Sequence, residues 1–475
     1  MLDHSMTEII YDYFASRTLS GYYKCGDRLP SVGHICRQFQ VSSLTARAVL
    51  GRLRENGYIN TTERKASVVI YQPDSQALQL SIYNYLSRRD GLDDIIQTSG
   101  LIFNPISSFY FKLQDPASIR RIRTLLKKMP GHAARQIICL YSEAMQKLNN
   151  GLALNLFWEV ARYQHIPFLT QSANFEGMDQ QAEAHIKRIL ILTETGAVDK
   201  AVTEMQAFNA DVMQQFILHM QQAYGDRPLP EQIPFQWKIY RERPQICYTL
   251  AAEIMSRIDC GIYRQNEFLP SYQALATEYG VSLITMRRTL DLLGRMHITE
   301  TLNGIGTRVS ADKDLAPDFS YPQLRKNLVL FLQALQIAAL TIESTAMYTL
   351  SALDEAGLLK LEEQVRRLME TGEVYLLGKV CLGFIGENSP SAFVKEVYSQ
   401  LYKLLLWGHV LHLIFRKPGS YDVYMAYAEQ SLECLHRQDI EGFAGLLSKL
   451  LFTVLRYTRE LLLQLNYKED QLITL

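Results

Sequence analysis

Apolar residues recur along most of this 475-residue chain at intervals of three and four, the spacing that lines one face of an α-helix. Stretches such as HAARQIICLYSEAMQKL and EAGLLKLEEQVRRLME carry the pattern with charged residues between, and no sustained alternation competes with it over 73–235 or 312–475. Both segments are predicted to be all-helical. The period breaks twice, where runs rich in β-branched residues, GYINTT then ASVVIY, and HITETL then GTRVS, flank a turn. Each pair predicts a small two-stranded hairpin.

The segments that lead into the two hairpins repeat one another. GDRLPSVGHICRQFQVSSLTARAVLGRL from Gly26 aligns without a gap on NEFLPSYQALATEYGVSLITMRRTLDLL from Asn266. Leu29-Pro30-Ser31 faces Leu269-Pro270-Ser271, Val41-Ser42 faces Val281-Ser282, and Thr45 and Arg47 face Thr285 and Arg287. In each copy a first helix is marked by Ile9, Ile10, Tyr13 and Phe14, or by Leu250, Ile254 and Ile258. A second begins at Ser31 or Ser271, and a third, after a tight turn, at Ser42 or Ser282, serine being a favoured residue before a helix's first turn. Three helices and a hairpin in this order predict a winged helix-turn-helix. The chain is therefore expected to be mainly α, with winged helix-turn-helix heads over 1–72 and 236–311, each carrying a small β wing, and helical bundle domains over 73–235 and 312–475. RPLPEQIP before the second head and KDLAPDFSYP after it suit the boundaries.

If Ala46, Val49, Leu50 and Leu53 form the buried stripe of the first copy's third helix, then Leu44, Arg47, Gly51 and Arg54 lie on its open side. In the second copy Met286, Thr289, Leu290 and Leu293 take the stripe, leaving Ile284, Arg287, Arg288 and Arg295 outside. Arginines at such a helix start suit phosphate oxygens and base edges in a major groove. Leu44 and Ile284 either touch thymine methyls there or pack within their own domains.

These motifs resemble the GntR family of regulators. GDRLPS from Gly26 and VSSLTAR from Val41 carry the likeness in copy one, and VSLITMR from Val281 and GIGT from Gly304 carry it in copy two. The resemblance implies a DNA operator as partner and contacts from Ser42, Ser43, Leu44, Thr45, Arg47 and Arg54 in one head. In the other it implies Ser282, Ile284, Thr285, Arg287 and Arg288, with Gly304 and Gly306 at the wing tip. The family usually places one arginine directly after the Val-Ser pair and another two residues after Leu-Pro-Ser. Here Ser43 and Leu283 hold the first position and Gly33 and Gln273 the second, while ERKAS replaces the glycine-rich tip in copy one.

The helical segments resemble the effector domains of the family's FadR branch through GENSPSAFV, GAVDKAVTEM and RQDIEGFAGLL. Many of those domains hold a metal on one aspartate and three histidines. The positions where these ligands would fall carry Leu154, Trp158, Phe208 and Leu450, with only His185 nearby, and no carboxylate recurs at useful spacing around His409 and His412. No metal and no cofactor are expected. A small organic effector and a homodimer, or an intrachain pseudo-dimer, are the partners implied instead.

Charge narrows the picture. Lys and Arg equal Asp and Glu at 49 each, so any DNA-binding charge must be local. The first head has nine Lys or Arg against six Asp or Glu, and the second nine against seven. Neutral charge and missing arginines keep an alternative open, in which the heads bind protein in an interaction scaffold. No P-loop, GxSxG or HExxH motif points to catalysis. Seven scattered cysteines without CxxC spacing, an N-terminus unlike a signal peptide, and an apolar run from Leu328 to Leu340 too short to span a bilayer predict a cytoplasmic protein without membrane contact.

Overall fold

The computed structural model describes residues 4–19, 23–39, 41–61, 66–72, 75–113, 116–127, 140–141, 147–164, 176–224, 227–239, 246–310, 319, 321–415 and 420–475. They form two compact units, Met1–Arg241 with Ser391–Phe393 and Thr474, and Glu242–Pro390 with Val394–Ile473 and Leu475.

The first unit opens with α1 (His4–Leu19), α2 (Val32–Phe39), α3 (Ser43–Glu55) and strands β1 (Ile59–Asn60) and β2 (Val68–Val69). The helical stripes do what their spacing predicts. Ile9, Ile10, Tyr13 and Phe14 of α1 are buried with Ala46, Val49, Leu50 and Leu53 of α3. Among the described residues the hairpin pairs Ile59 with Val69 and Asn60 with Val68 in antiparallel register. Seven helices follow among the described residues: α4 (Ser75–Leu86), α5 (Arg89–Thr98), α6 (Gly100–Lys112), α7 (Pro116–Lys127), α8 (Gly151–Tyr163), α9 (Glu176–Glu194) and α10 (Val198–Tyr224). Asn150 starts α8 by accepting from the Ala153 amide at 2.9 Å. α8 lies against α1. Its Trp158 ring sits 4.3 Å from Phe39 and 5.2 Å from Tyr13, edge-on to the latter, and Arg162 reaches Asp12 at 3.2 Å. Trp237 is buried in this unit and donates to Asn155 at 2.8 Å.

The second unit repeats the head with α11 (Ile246–Asp259), α12 (Tyr272–Glu278), α13 (Leu283–Arg295), β3 (Thr299–Leu302) and β4 (Gly306–Val309). Its wing is longer, pairing Thr299 with Val309 through to Leu302 with Gly306. The helical part comprises α14 (Pro322–Leu350), α15 (Glu355–Thr371), α16 (Leu377–Asn388), α17 (Ala392–Leu405), α18 (Gly408–Phe415), α19 (Ser420–His436) and α20 (Ile440–Gln464). Asp354 and Asp439 cap α15 and α20, each accepting a glycine amide at 2.8 Å. α14 and α20 are the central pair. Leu324–Leu350 is long and apolar enough to cross a bilayer, yet 67% of its most apolar stretch is buried here, as befits a core helix.

The duplication is visible in backbone detail. In both heads the Leu-Pro-Ser strand lies beside the wing: the Leu29 amide donates to the Ser67 carbonyl at 2.9 Å, and that of Leu269 to Thr307 at 2.8 Å. Gly26 (φ +95°) and Asn266 (φ +66°) make the same left-handed turn, as do Gly57 (+75°) and His297 (+59°) at the close of the third helices. Asn tolerates that region better than most side chains, so a shared φ above zero at equivalent positions is copied geometry.

Candidate nucleic-acid interface

The third helices are built alike. Ser42 and Ser282 sit in extended conformation, and their hydroxyls accept from the Thr45 and Thr285 amides at 3.1 and 3.2 Å. Thr45 was expected at the interface. It is instead 2% exposed, with its hydroxyl 3.0 Å from Ser42 Oγ, because the cap draws it inward. Thr285 is half-buried and makes the same 2.9 Å contact to Ser282. Ser42, Ser43, Arg47, Arg54, Ser282, Arg287 and Arg288 are exposed, as are Arg295 and Gly304, whereas Gly51 and Gly306 are half-buried.

The arginines divide into two groups. Arg52 is bound to Glu8 and lies 4.1 Å over the Tyr11 ring, Arg257 is bound to Glu278, and Arg308 meets Glu300 at 2.9 Å. Among the described residues no carboxylate pairs with Arg47, Arg54, Arg287, Arg288 or Arg295. The second group sits on exposed positions of the third helices. Leu44 and Ile284 do not pack inside their own domains, being 61% and 67% exposed. Leu283 is open beside Ile284. The second wing turns through Gly304 (φ +75°) and Gly306 (φ +150°), which leaves Ile305 at the tip 71% exposed. A Cβ on Gly306 would come 3.3 Å from the Phe268 ring, so both the angle and the space favour glycine there. Of ERKAS in the first head, Glu63, Arg64 and Lys65 lie outside the described residues.

Residues 7–69 and 248–309 both match the family described as bacterial regulatory proteins, gntR family. Both heads are GntR domains. The chain thus carries two gntR-type domains, one in each head. No curated protein matches the chain. Among solved structures it is similar to a GntR protein of Streptococcus agalactiae (15% identity, TM-score 0.22), covering 44% of this chain and 99% of that one. A second is the Lar protein that controls the agr system of Listeria monocytogenes (16%, TM-score 0.21; 47% and 100%). A third is a GntR-family transcriptional regulator of Pseudomonas syringae pv. tomato (17%, TM-score 0.20; 46% and 88%).

One cluster beside the second GntR head is not legible from local spacing. Asp259, the last residue of α11, takes Nδ1–H of His409 at 2.6 Å and of His412 at 2.8 Å, both from α18. The carboxylate found missing around these histidines thus comes from 150 residues earlier in the chain. Lys379 of α16 donates to Ser256 at 2.9 Å and to Nε2 of His409 at 3.3 Å, and the Tyr375 ring stacks on His412 with centroids 4.0 Å apart. Burial alone would raise the Asp259 carboxyl, but the two histidine bonds outweigh it and hold it below its ordinary value. Burial pushes His409 and Lys379 below theirs. A neutral imidazole that donates from Nδ1 and accepts at Nε2 fits all these contacts. Among the described residues no group of three or more His, Cys, Asp or Glu is placed to hold a metal ion. His185 is instead hydrogen-bonded to Glu204 at 2.6 Å and stacked on Phe208.

Proposed function

We propose that both GntR heads read duplex DNA through the first turns of α3 and α13, and that the helical parts govern this reading by dimerising, by binding a small organic effector, or both. The observation that carries the first half is the set of unpaired, exposed arginines, Arg47 and Arg54 in one copy and Arg287 and Arg288 in the other, on helices that open with the same serine cap. Phosphate contacts position such a helix and base-edge contacts specify the site. Gly304 and Gly306 leave the second wing free to follow the adjacent groove. The protein then acts in the cytoplasm, where the DNA is, without enzymatic activity.

For the second half, Leu154, Trp158 and Phe208 in the first unit and Leu450 in the second, which fall near the metal-ligand positions of FadR-type domains, are buried apolar side chains. The junction with α11 supplies a route to the head, because Asp259 belongs to the head's first helix and both its histidine partners to the helical part.

Fluorescence anisotropy of the whole chain on labelled genomic duplexes from its own upstream region tests the DNA reading. Affinity should fall steeply with salt, by about 0.9 log unit per log unit of salt for every phosphate neutralised. Binding of a protein to the same heads, with salt-insensitive and negligible DNA affinity, would favour the scaffold reading instead; the exposed aliphatics of the third helices are the observation on its side.

A further inference from the structure

Leu44 and Ile284 occupy the same register in the two heads, two residues after the capping serine. Each lies on the open side of its helix while the residues beneath it, Ala46, Val49 and Leu50 or Met286 and Leu290, are buried. Neither copy uses the side chain in its own core. Leaving a large aliphatic group in water gives the fold nothing, and a second one, Leu283 (46% exposed), stands next to Ile284. Arg47 and Arg287 follow three positions later, one helical turn along the same face.

Resting on the reading that these helices meet duplex DNA, we infer that Leu44 and Ile284 recognise thymine C5-methyl groups in the major groove. The methyl is the apolar feature that groove offers; the other base-edge groups there are hydrogen-bond donors and acceptors. An aliphatic side chain at the helix start discriminates thymine from cytosine by burying that methyl and by leaving an N4 amino group without an acceptor. A head that has Ser43 or Leu283 in place of an arginine therefore loses a charged contact at that point and reads an A·T pair instead. The second head, with Leu283 beside Ile284, presents the wider apolar surface and should require thymine at two neighbouring positions; the first, with Ser43 beside Leu44, should require it at one. This makes the operator richer in A·T under the third helices than under the rest of the footprint. Arg47 and Arg287 then supply the phosphate or guanine contact at the next step.

The test uses the full chain and a pool of random 30-base-pair duplexes. The enriched duplex is resynthesised with deoxyuridine replacing one thymidine at a time, which removes only the methyl group. Binding is measured for the parent chain and for Leu44→Ala and Ile284→Ala, surface changes to a strong helix former that keep the helix. At the thymines read by these residues the parent should lose about fourfold in affinity per methyl. The matching alanine variant should bind the uracil and thymine duplexes equally. Uracil losses of equal size in parent and variants, or uracil duplexes that bind as tightly as thymine ones everywhere, would overturn the inference while leaving DNA binding intact. Failure to enrich any duplex, with the chain folded, would overturn the DNA reading and this inference with it.

Discussion

At Ser42 and Ser282 one hydroxyl both closes the first turn of a third helix and meets a threonine hydroxyl, while the residue just before that threonine, Leu44 or Ile284, is left on the surface. Replacing either serine by alanine removes the cap and should cost about 1 kcal/mol, read as a lowered midpoint in urea. Arg47 and Arg287 separate two kinds of contact. Changing one to alanine should weaken operator binding by about 1–3 kcal/mol if it reaches a base edge, and lower the salt slope by about one unit if it holds a phosphate. Binding and slope both equal to the parent's, in both single variants, would remove these residues from the interface. Thr45 and Leu44 show why neighbours in sequence differ so much in role: one helical residue turns the side chain through about 100°, which takes Thr45 into the cap and leaves Leu44 in solvent.

Helix packing decides what ties each head to the helices behind it. In the first unit the centre of that contact is aromatic, with Trp158 of α8 lodged against Phe39 and Tyr13 and the Arg162–Asp12 pair beside it. In the second it is ionisable, with Asp259 between His409 and His412. Because folding lowers the His409 pKa, the unfolded chain takes up a proton below about pH 6.5 that the folded one refuses. The stability this residue provides is thus full above that pH and declines as pH falls through the folded value. Asp259, also lowered, adds a further loss only below the ordinary carboxylate range, about pH 4. Thermal scans between pH 7.5 and pH 5 should show a decline that His409→Gln flattens; an unchanged slope would mean the cluster does not titrate there (pH range set by the ordinary histidine value, about 6.5). The helices themselves were legible, since period and capping serines mark Ser31, Ser42, Ser271 and Ser282 in the sequence and their side chains accept the expected amides. The Asp259 cluster was not. Local spacing reports which face of a helix is apolar, whereas which carboxylate arrives beside it depends on how α11 and α18 cross, and their partners are 150 and 153 residues apart.

For the whole molecule, if both heads read DNA as proposed, the duplication sets the form of the operator. Helix-turn-helix heads in a symmetric dimer present one helix to two like half-sites about one helical turn, or a multiple of it, apart. This chain carries two unlike heads, Leu44 and Arg54 in one against Ile284, Arg288 and Arg295 in the other. Chelation should leave both thermal stability and DNA affinity unchanged, because Leu154, Trp158, Phe208 and Leu450 are buried apolar groups; stoichiometric zinc or nickel in untagged protein, with a large fall in Tm on chelation, would contradict this. The central claim is that both heads read DNA, each through its own third helix. Hydroxyl-radical footprinting of the full chain, of Arg47→Ala and of Arg287→Ala on one selected duplex tests it most directly, with the mass of the complex in solution fixing how many heads are present. The account predicts two protected patches of different sequence per chain, with each variant losing only its own patch. Protection of a single palindromic site that depends on Arg287 and is indifferent to Arg47 would show that the first head does not read DNA.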